Sequence, residues 1–231
     1  MKILIFTIAF LSAAALSIAQ QPVENTTTSS GLPPGPLLNH APDFSQWTVN
    51  YKLSVLKQTT DESDFQMVVT KTKSIYHVQT IDGAGFRTDK WVLDTVQVTT
   101  LPNAQYPVIS TAGNKDSYYT DYSKADFYGF NWISKSNFLG IKKIGGNDCL
   151  IFQTRMKSPF SKEPATAQTI TVQAAIEVKT RLPIYLKAGK AVANYVYGTP
   201  PAAMLVPPAA VQALLDKWNK RLEKTSLVSP P

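Results

Sequence analysis

Apolar and polar residues alternate along much of the chain from Trp47 onward, and this pattern predicts β-strands. The apolar positions of the first stretch are Trp47, Val49, Tyr51, Leu53 and Val55, and polar residues lie between them. Successive side chains of a strand point to opposite faces, so one face of this strand should be buried and the other solvated. The same alternation recurs over 65–70, 74–81 and 91–99, with a glycine-containing turn at 82–85.

A second group of strands is predicted after an irregular middle segment. It comprises a hairpin over 137–156 with its turn at 145–148, a long strand over 169–178, and a final hairpin over 184–197. About eight strands joined by short turns favour pairing between neighbours in sequence. The expected fold is therefore mostly β, an antiparallel curved sheet or incomplete β-barrel.

One amphipathic helix is predicted near the C-terminus, over 209–224. Pro207 and Pro208 precede a set of apolar residues spaced three or four apart, namely Val211, Leu214, Leu215, Trp218 and Leu222. A helix with one apolar stripe must bury that stripe. Packing against the sheet is the first expectation, and lying on a membrane surface or docking to a partner are the alternatives.

The N-terminal segment has the pattern of a secretory signal peptide over 1–19. Lys2 supplies a positive charge, an apolar run follows over 3–16, and a small-x-small sequence ends at Ala19. The run is shorter than the roughly 20 residues that span a bilayer, which favours cleavage over an uncleaved anchor. Residues 20–43 are rich in Pro, Ser and Thr and predict a disordered linker, followed by a single domain over 44–228. We expect a periplasmic or secreted protein with no transmembrane span after cleavage.

Composition and charge narrow the functional classes. Without Lys2 the mature chain carries 22 basic residues (23 minus 1) and 16 acidic residues, a net charge of +6. The basic residues are scattered, which disfavours nucleic acid and is compatible with anionic lipid or polysaccharide. Cys149 is the only cysteine, so an intramolecular disulfide is impossible.

Few residues offer catalytic or metal-binding chemistry. The two histidines, His40 and His77, are far apart in sequence, and Cys149 has no evident base nearby. The acidic group at 61–64 is typical of a solvated turn, with calcium binding as the alternative. We therefore predict no catalytic residue, no metal and no cofactor, with a hydrolase as a third-ranked hypothesis.

Aromatic residues are concentrated over 116–132, in a segment without a regular period. This pattern predicts an irregular or helical lid over an apolar surface, either completing the core or covering a ligand pocket. Size and period select the candidate ligand-binding residues, which are Trp47, Tyr51, Phe65, Met67, Trp91, Tyr118, Tyr122, Phe130 and Trp132.

The sequence Ala-Ile-Glu-Val-Lys-Thr-Arg-Leu-Pro-Ile-Tyr-Leu over 175–186, followed by Tyr-Val-Tyr over 195–197, resembles the periplasmic lipoprotein-carrier (LolA-like) family. The resemblance implies an incomplete barrel, a helical lid and an apolar cavity for acyl chains. Burying one methylene is worth about 0.8 kcal/mol, so such a surface can carry lipid without catalytic groups. The leading hypothesis is an exported carrier of a lipid, acyl chain or other apolar ligand. The alternative is a structural or interaction module of the cell envelope, with a filled core and a possible envelope protein partner.

Overall fold

A single antiparallel sheet of eleven strands dominates the computed structural model, which describes residues 31–53, 64–94, 96–101, 107–111, 122, 125–157 and 169–226. The strands are β1 (Ser45–Leu53), β2 (Phe65–Thr72), β3 (Ile75–Asp82), β4 (Arg87–Leu93), β5 (Val96–Thr100), β6 (Val108–Thr111), β7 (Phe138–Ile144), β8 (Asn147–Lys157), β9 (Thr169–Glu177), β10 (Pro183–Ala188) and β11 (Ala191–Tyr197). A short 3₁₀ turn (Lys135–Asn137) precedes β7, and helix α1 (Ala209–Ser226) follows β11.

The sheet consists of two meanders, β1 to β6 and β7 to β11, in which each strand pairs with its neighbour in sequence. The pairing of β1 with β11 joins them, and it places Val49 opposite Tyr195. Strands β6 and β7 form the two edges and do not pair with each other in the described part of the chain. The predicted mostly β, antiparallel architecture is therefore confirmed, and the open sheet matches the predicted curved sheet or incomplete barrel.

The predicted strand over 91–99 is in fact two strands, β4 and β5, joined by a tight turn. Asp94 has φ of 52° at that turn, a left-handed conformation that aspartate adopts more readily than most residues. Leu93 and Val96 lie opposite each other across the turn. Because the residues on both sides of the turn are apolar, the alternation of apolar and polar residues did not predict it. Strand β6 lies in the middle segment that was predicted to be irregular.

The face of the sheet that carries Trp47, Val49 and Val69, here called the inner face, holds the main core. Two segments cover it: the strap (residues 31–41) and the lid (residue 122 and residues 125–133). The predicted linker over 20–43 included the strap. In the structure, Ala41 is only 3% exposed, and the backbone amide of Asn39 donates to the backbone carbonyl of Arg181 at 2.9 Å. Residues 1–30 and 227–231, with the predicted signal peptide and the domain's end, lie outside the described residues.

Helix α1 covers part of the opposite, outer face. Val211 and Leu215 are buried against Trp91 and Val98, which alternate with the inner-face residues of β4 and β5. Of the predicted apolar stripe, Val211, Leu214 and Leu215 pack on the sheet, which was the first expectation; the side chain of Leu222 lies outside the described residues.

Candidate functional site

The centre of the inner face is filled by aromatic rings from both the sheet and the lid. The ring centroids of Trp47 and Phe127 are 5.3 Å apart, and those of Phe127 and Tyr195 are 6.0 Å apart. Phe130 approaches Tyr195 at 5.7 Å. All four side chains are buried, and tilted or edge-on rings at these distances attract one another. In this structure the lid's own rings occupy the apolar surface.

A buried polar cluster, here called the latch, joins the lid, the strap and the sheet. The Asp126 carboxylate accepts hydrogen bonds from the Tyr76 hydroxyl at 2.7 Å and from the Ala41 amide at 2.9 Å. Lys71 Nζ lies 3.1 Å from Asp126 Oδ1 and also donates to the Ala41 carbonyl at 2.8 Å. His40 Nδ1 lies 3.0 Å from Asp126 Oδ2, the oxygen that accepts from the Ala41 amide. One carboxylate therefore binds three separate parts of the chain.

Burial makes the latch energetically important. The side chains of Asp126 and Lys71 are 1% and 8% exposed, whereas that of His40 is 82% exposed. Burial, followed by the hydrogen bond to Asp126, raises the pKa of Tyr76 above its ordinary value, so its hydroxyl stays protonated and donates. Beside the latch lies a small surface pocket of about 90 Å³, lined by Leu38, Asn39, His40, Ala125, Asp126 and Phe127.

At the other end of the inner face, the apolar surface is only partly covered. Here Tyr51 and Phe65 stack with ring centroids 4.6 Å apart. We call the four half-buried residues at this end the rim: Tyr51, Phe65, Met67 and Leu186. The lid passes close to the rim, because a Cβ on Gly129 would lie 3.0 Å from Leu186 Cδ2. Burial, and then the neighbouring Tyr128, raise the pKa of Tyr51.

The part of the inner face on β3 to β5 is more polar than the rim. Thr80, Thr88, Lys90 and Thr99 alternate with outer-face residues on these strands and are half-buried. Burial lowers the pKa of Lys90, because desolvation disfavours its charged form. The inner face is therefore amphipathic, with aromatic and aliphatic side chains on one side and hydroxyl groups and the Lys90 ammonium group on the other.

Seven of the nine candidate residues share the inner face. They are Trp47, Tyr51, Phe65, Met67, Tyr122, Phe130 and Trp132. Trp91 lies on the outer face beneath α1, and Tyr118 lies outside the described residues. Trp91, Val92 and Leu93 are all apolar, so alternation alone did not tell which of the three faces inward.

Sequence reasoning missed Asp126, Lys71, Phe127 and Tyr195. Asp126 and Phe127 lie in the predicted lid segment, so their general position was foreseen but not their contacts. Lys71 ends an alternating stretch that was predicted only to residue 70. The pairing of Asp126 with Lys71 joins residues far apart in sequence, and no local pattern signals it.

Elsewhere on the described residues, His77 Nε2 lies 2.9 Å from Asp89 Oδ1. The described residues contain no group of three or more His, Cys, Asp or Glu side chains that could hold a metal ion. Of the acidic residues at 61–64, Asp64 lies 3.6 Å from Lys52, and the others lie outside the described residues. Cys149 is buried on the outer face, and burial raises the pKa of its thiol to about 11. No helix in the described ranges is both long and apolar enough to span a membrane.

Among solved structures, the chain is similar to the lipoprotein LppX of Mycobacterium tuberculosis, with 9% sequence identity and a TM-score of 0.39 over 71% of this chain and 88% of that chain. It is also similar to a LolA superfamily protein of Nitrosomonas europaea, with 11% identity and a TM-score of 0.35 over 72% of this chain and 90% of that chain. That superfamily is the one that residues 175–197 resemble. No protein-family model and no curated protein matches the sequence. The fold of this chain is defined by its own strand pairing.

Proposed function

We propose that this protein is an exported, non-catalytic carrier or binding protein for a lipid, an acyl chain or another apolar ligand. The proposal is based on the incomplete burial of the rim. Tyr51, Phe65, Met67 and Leu186 form an apolar surface that is only half-buried and that continues directly into the buried core. A surface of this kind gains free energy when an apolar chain covers it.

The lid gives the ligand a route inward from the rim. Phe127 and Phe130 cover the centre of the inner face as an acyl chain would, through apolar contact without directional bonds. A ligand that displaces these rings exchanges one set of apolar contacts for another, so the apolar part of the cost of opening is small. The polar side of the same face, with Thr80, Thr88 and Lys90, suits a ligand that has one polar end.

The proposed location outside the cytoplasm depends on the signal-peptide pattern over 1–19. A non-catalytic role agrees with an inner face on which aromatic, aliphatic and hydroxyl side chains predominate and on which Lys90 and the latch are charged. The main charged groups there are Asp126 and Lys71 of the latch. The two oxygens of the Asp126 carboxylate already make four contacts. Those contacts suit the latch to positioning the lid.

A matched pair of double variants tests the proposal. Tyr51 and Phe65 lie opposite each other on the inner face, and Asn50 and Gln66 lie opposite each other on the outer face of the same two strands. We expect Tyr51→Ser/Phe65→Ser to weaken binding of a fluorescent fatty-acid probe by roughly tenfold or more, because two rings leave the binding surface. Asn50→Ser/Gln66→Ser should bind as the wild type does. Equal binding by all three proteins would contradict a ligand site at the rim.

The bound material itself can be identified from the purified mature protein. We expect native mass spectrometry to show a stoichiometric mass excess over the denatured chain, and organic extraction of the same sample to yield that mass as lipid. A bare chain mass together with no uptake of the fatty-acid probe would contradict the carrier proposal.

The ring packing favours a second candidate function, an envelope interaction module with a filled core. Trp47, Phe127, Phe130 and Tyr195 already fill the centre of the inner face. This candidate predicts a bare chain mass and no probe uptake, and it predicts that the rim variants alter stability alone. The two candidates therefore give opposite results in the same experiments.

A further inference from the structure

A second apolar surface lies away from the inner face, on the connection between β11 and α1. Val206 is 79% exposed and Met204 is 42% exposed. Leu205, between them, packs against the cluster under α1, and its amide donates to the Thr72 hydroxyl at 3.0 Å. Anchoring the middle residue directs its two neighbours away from the sheet, so their exposure follows from how the connection is attached.

Prolines stiffen this connection at both of its ends. Pro200 and Pro201 lie shortly before Met204, and Pro207 and Pro208 directly follow Val206. The pyrrolidine ring fixes the backbone angle φ of proline. The connection therefore has little freedom to fold the Met204 and Val206 side chains back onto the protein.

The outward face of α1, which follows directly, is cationic. Lys217, Lys220 and Arg221 are exposed, while Val211 and Leu215 of the same helix are packed on the sheet. Asp216, an acidic residue beside them, accepts a hydrogen bond from Gln212 at 3.0 Å. The exposed Met204 and Val206 therefore lie on the connection that leads into α1, and the exposed basic residues lie on the helix itself.

We propose that this surface docks the protein on a bilayer that contains anionic lipids. Met204 and Val206 enter the interfacial region, and Lys217 and Lys220 lie near the lipid headgroups. Apolar insertion and electrostatic attraction act together in interfacial binding, and neither is strong alone. The mature chain's net charge of +6, 22 basic residues (23 minus Lys2) less 16 acidic ones, adds a long-range attraction to an anionic bilayer.

A bilayer fits these residues better than a protein partner does. Two apolar side chains on an exposed connection offer too little area for a stable protein interface, which needs a well-packed core of contacts. A bilayer requires no shape complementarity and collects diffuse positive charge. The inference is independent of ligand binding at the rim.

The test is co-sedimentation of the mature chain with vesicles of phosphatidylcholine alone or of phosphatidylcholine and phosphatidylglycerol in equal parts. We expect binding to the mixed vesicles that falls as salt is raised. Met204→Ser/Val206→Ser and Lys217→Gln/Lys220→Gln should each weaken that binding by roughly tenfold. Circular dichroism should show that both variants are folded, because all four side chains are exposed.

Matched controls lie elsewhere on the surface. Leu139 is 55% exposed, and Lys143 and Lys179 are exposed, so Leu139→Ser and Lys143→Gln/Lys179→Gln should bind vesicles as the wild type does. The rim variant Tyr51→Ser/Phe65→Ser should also bind them normally, which separates this surface from the ligand site. Absence of binding to mixed vesicles, or an equal loss in the controls, would overturn the proposal, even if an acidic protein bound the same face.

Discussion

The two faces of the sheet are covered by segments that are held in different ways. On the inner face, the lid and strap depend on a buried ion pair between Asp126 and Lys71 as well as on ring contacts. On the outer face, helix α1 packs through apolar side chains such as Val211 and Leu215. One cover is positioned by directional bonds and the other by apolar area.

This difference indicates which cover is better suited to open. Undocking α1 exposes apolar surface to water, and no hydration of a buried charge offsets that cost. Opening the lid also lets water reach Asp126 and Lys71, and the recovered hydration offsets part of the lost attraction. The latch therefore gives the lid a defined closed position without making the open position prohibitively costly.

The largest effect is expected from breaking the latch. Asp126→Ala leaves Lys71 buried without its anionic partner, so we expect the free energy of unfolding to fall by about 3 to 5 kcal/mol. Urea denaturation measures this loss. Hydrogen exchange should rise in the lid and strap while α1 stays protected.

Two controls identify the buried charge as the cause. The exposed pair Lys52 and Asp64 has side chains that are 64% and 40% exposed, so Asp64→Ala should cost less than about 1 kcal/mol. Adding Lys71→Met to Asp126→Ala should recover part of the loss, because no buried charge is then left unpaired. Equal losses for Asp126→Ala and Asp64→Ala would contradict the role given to the latch.

A smaller effect is expected from weakening the helix. Leu215 is 6% exposed, and Leu215→Ala should cost about 2 to 3 kcal/mol through lost burial and a cavity. Exchange should now rise in α1 and stay unchanged in the lid. The exposed helix variant Gln212→Ala is the control. Faster exchange in both covers after Leu215→Ala would show that the two are coupled.

The smallest effect is expected at the contact between lid and rim. Gly129 has φ of 82°, and an added Cβ would lie 3.0 Å from Leu186. Gly85 has φ of 81° with open space around it, so it isolates the backbone cost of about 1 kcal/mol. We expect Gly129→Ala to cost about 2 kcal/mol in thermal or urea unfolding. Equal losses of unfolding free energy at Gly129 and Gly85 would mean that the lid is not in close contact with the rim.

The sequence predicted the strands well where only one face is apolar. Trp47, Val49 and Tyr51 alternate with polar residues, and their shared inner face followed directly from that period. At Trp91, Val92 and Leu93 both faces are apolar because α1 covers the outer one, so the period carried no information. The same helix contact explains why Trp91 was placed with the inner-face residues.

The candidate site was predictable in its apolar part and not in its polar part. Large rings at alternating positions signal a buried face wherever they occur. The latch instead requires Ala41, Lys71, Tyr76 and Asp126 to meet, and only the complete fold brings these residues together. The strap was equally hidden, because its prolines and small residues are typical of a linker until a surface is present to receive them.

The pairing of β1 with β11 has a consequence for the order of folding. Each meander is built from hairpins whose strands are close in sequence, and such contacts form quickly. The seam between Trp47 and Tyr197 joins positions separated by most of the domain. Closing so long a loop costs conformational entropy before the hydrogen bonds between the two strands form. A chain that emerges N-terminus first must therefore keep one edge of β1 unpaired until β11 appears. During that interval the exposed edge is a point at which a chaperone would bind or at which two nascent chains would aggregate.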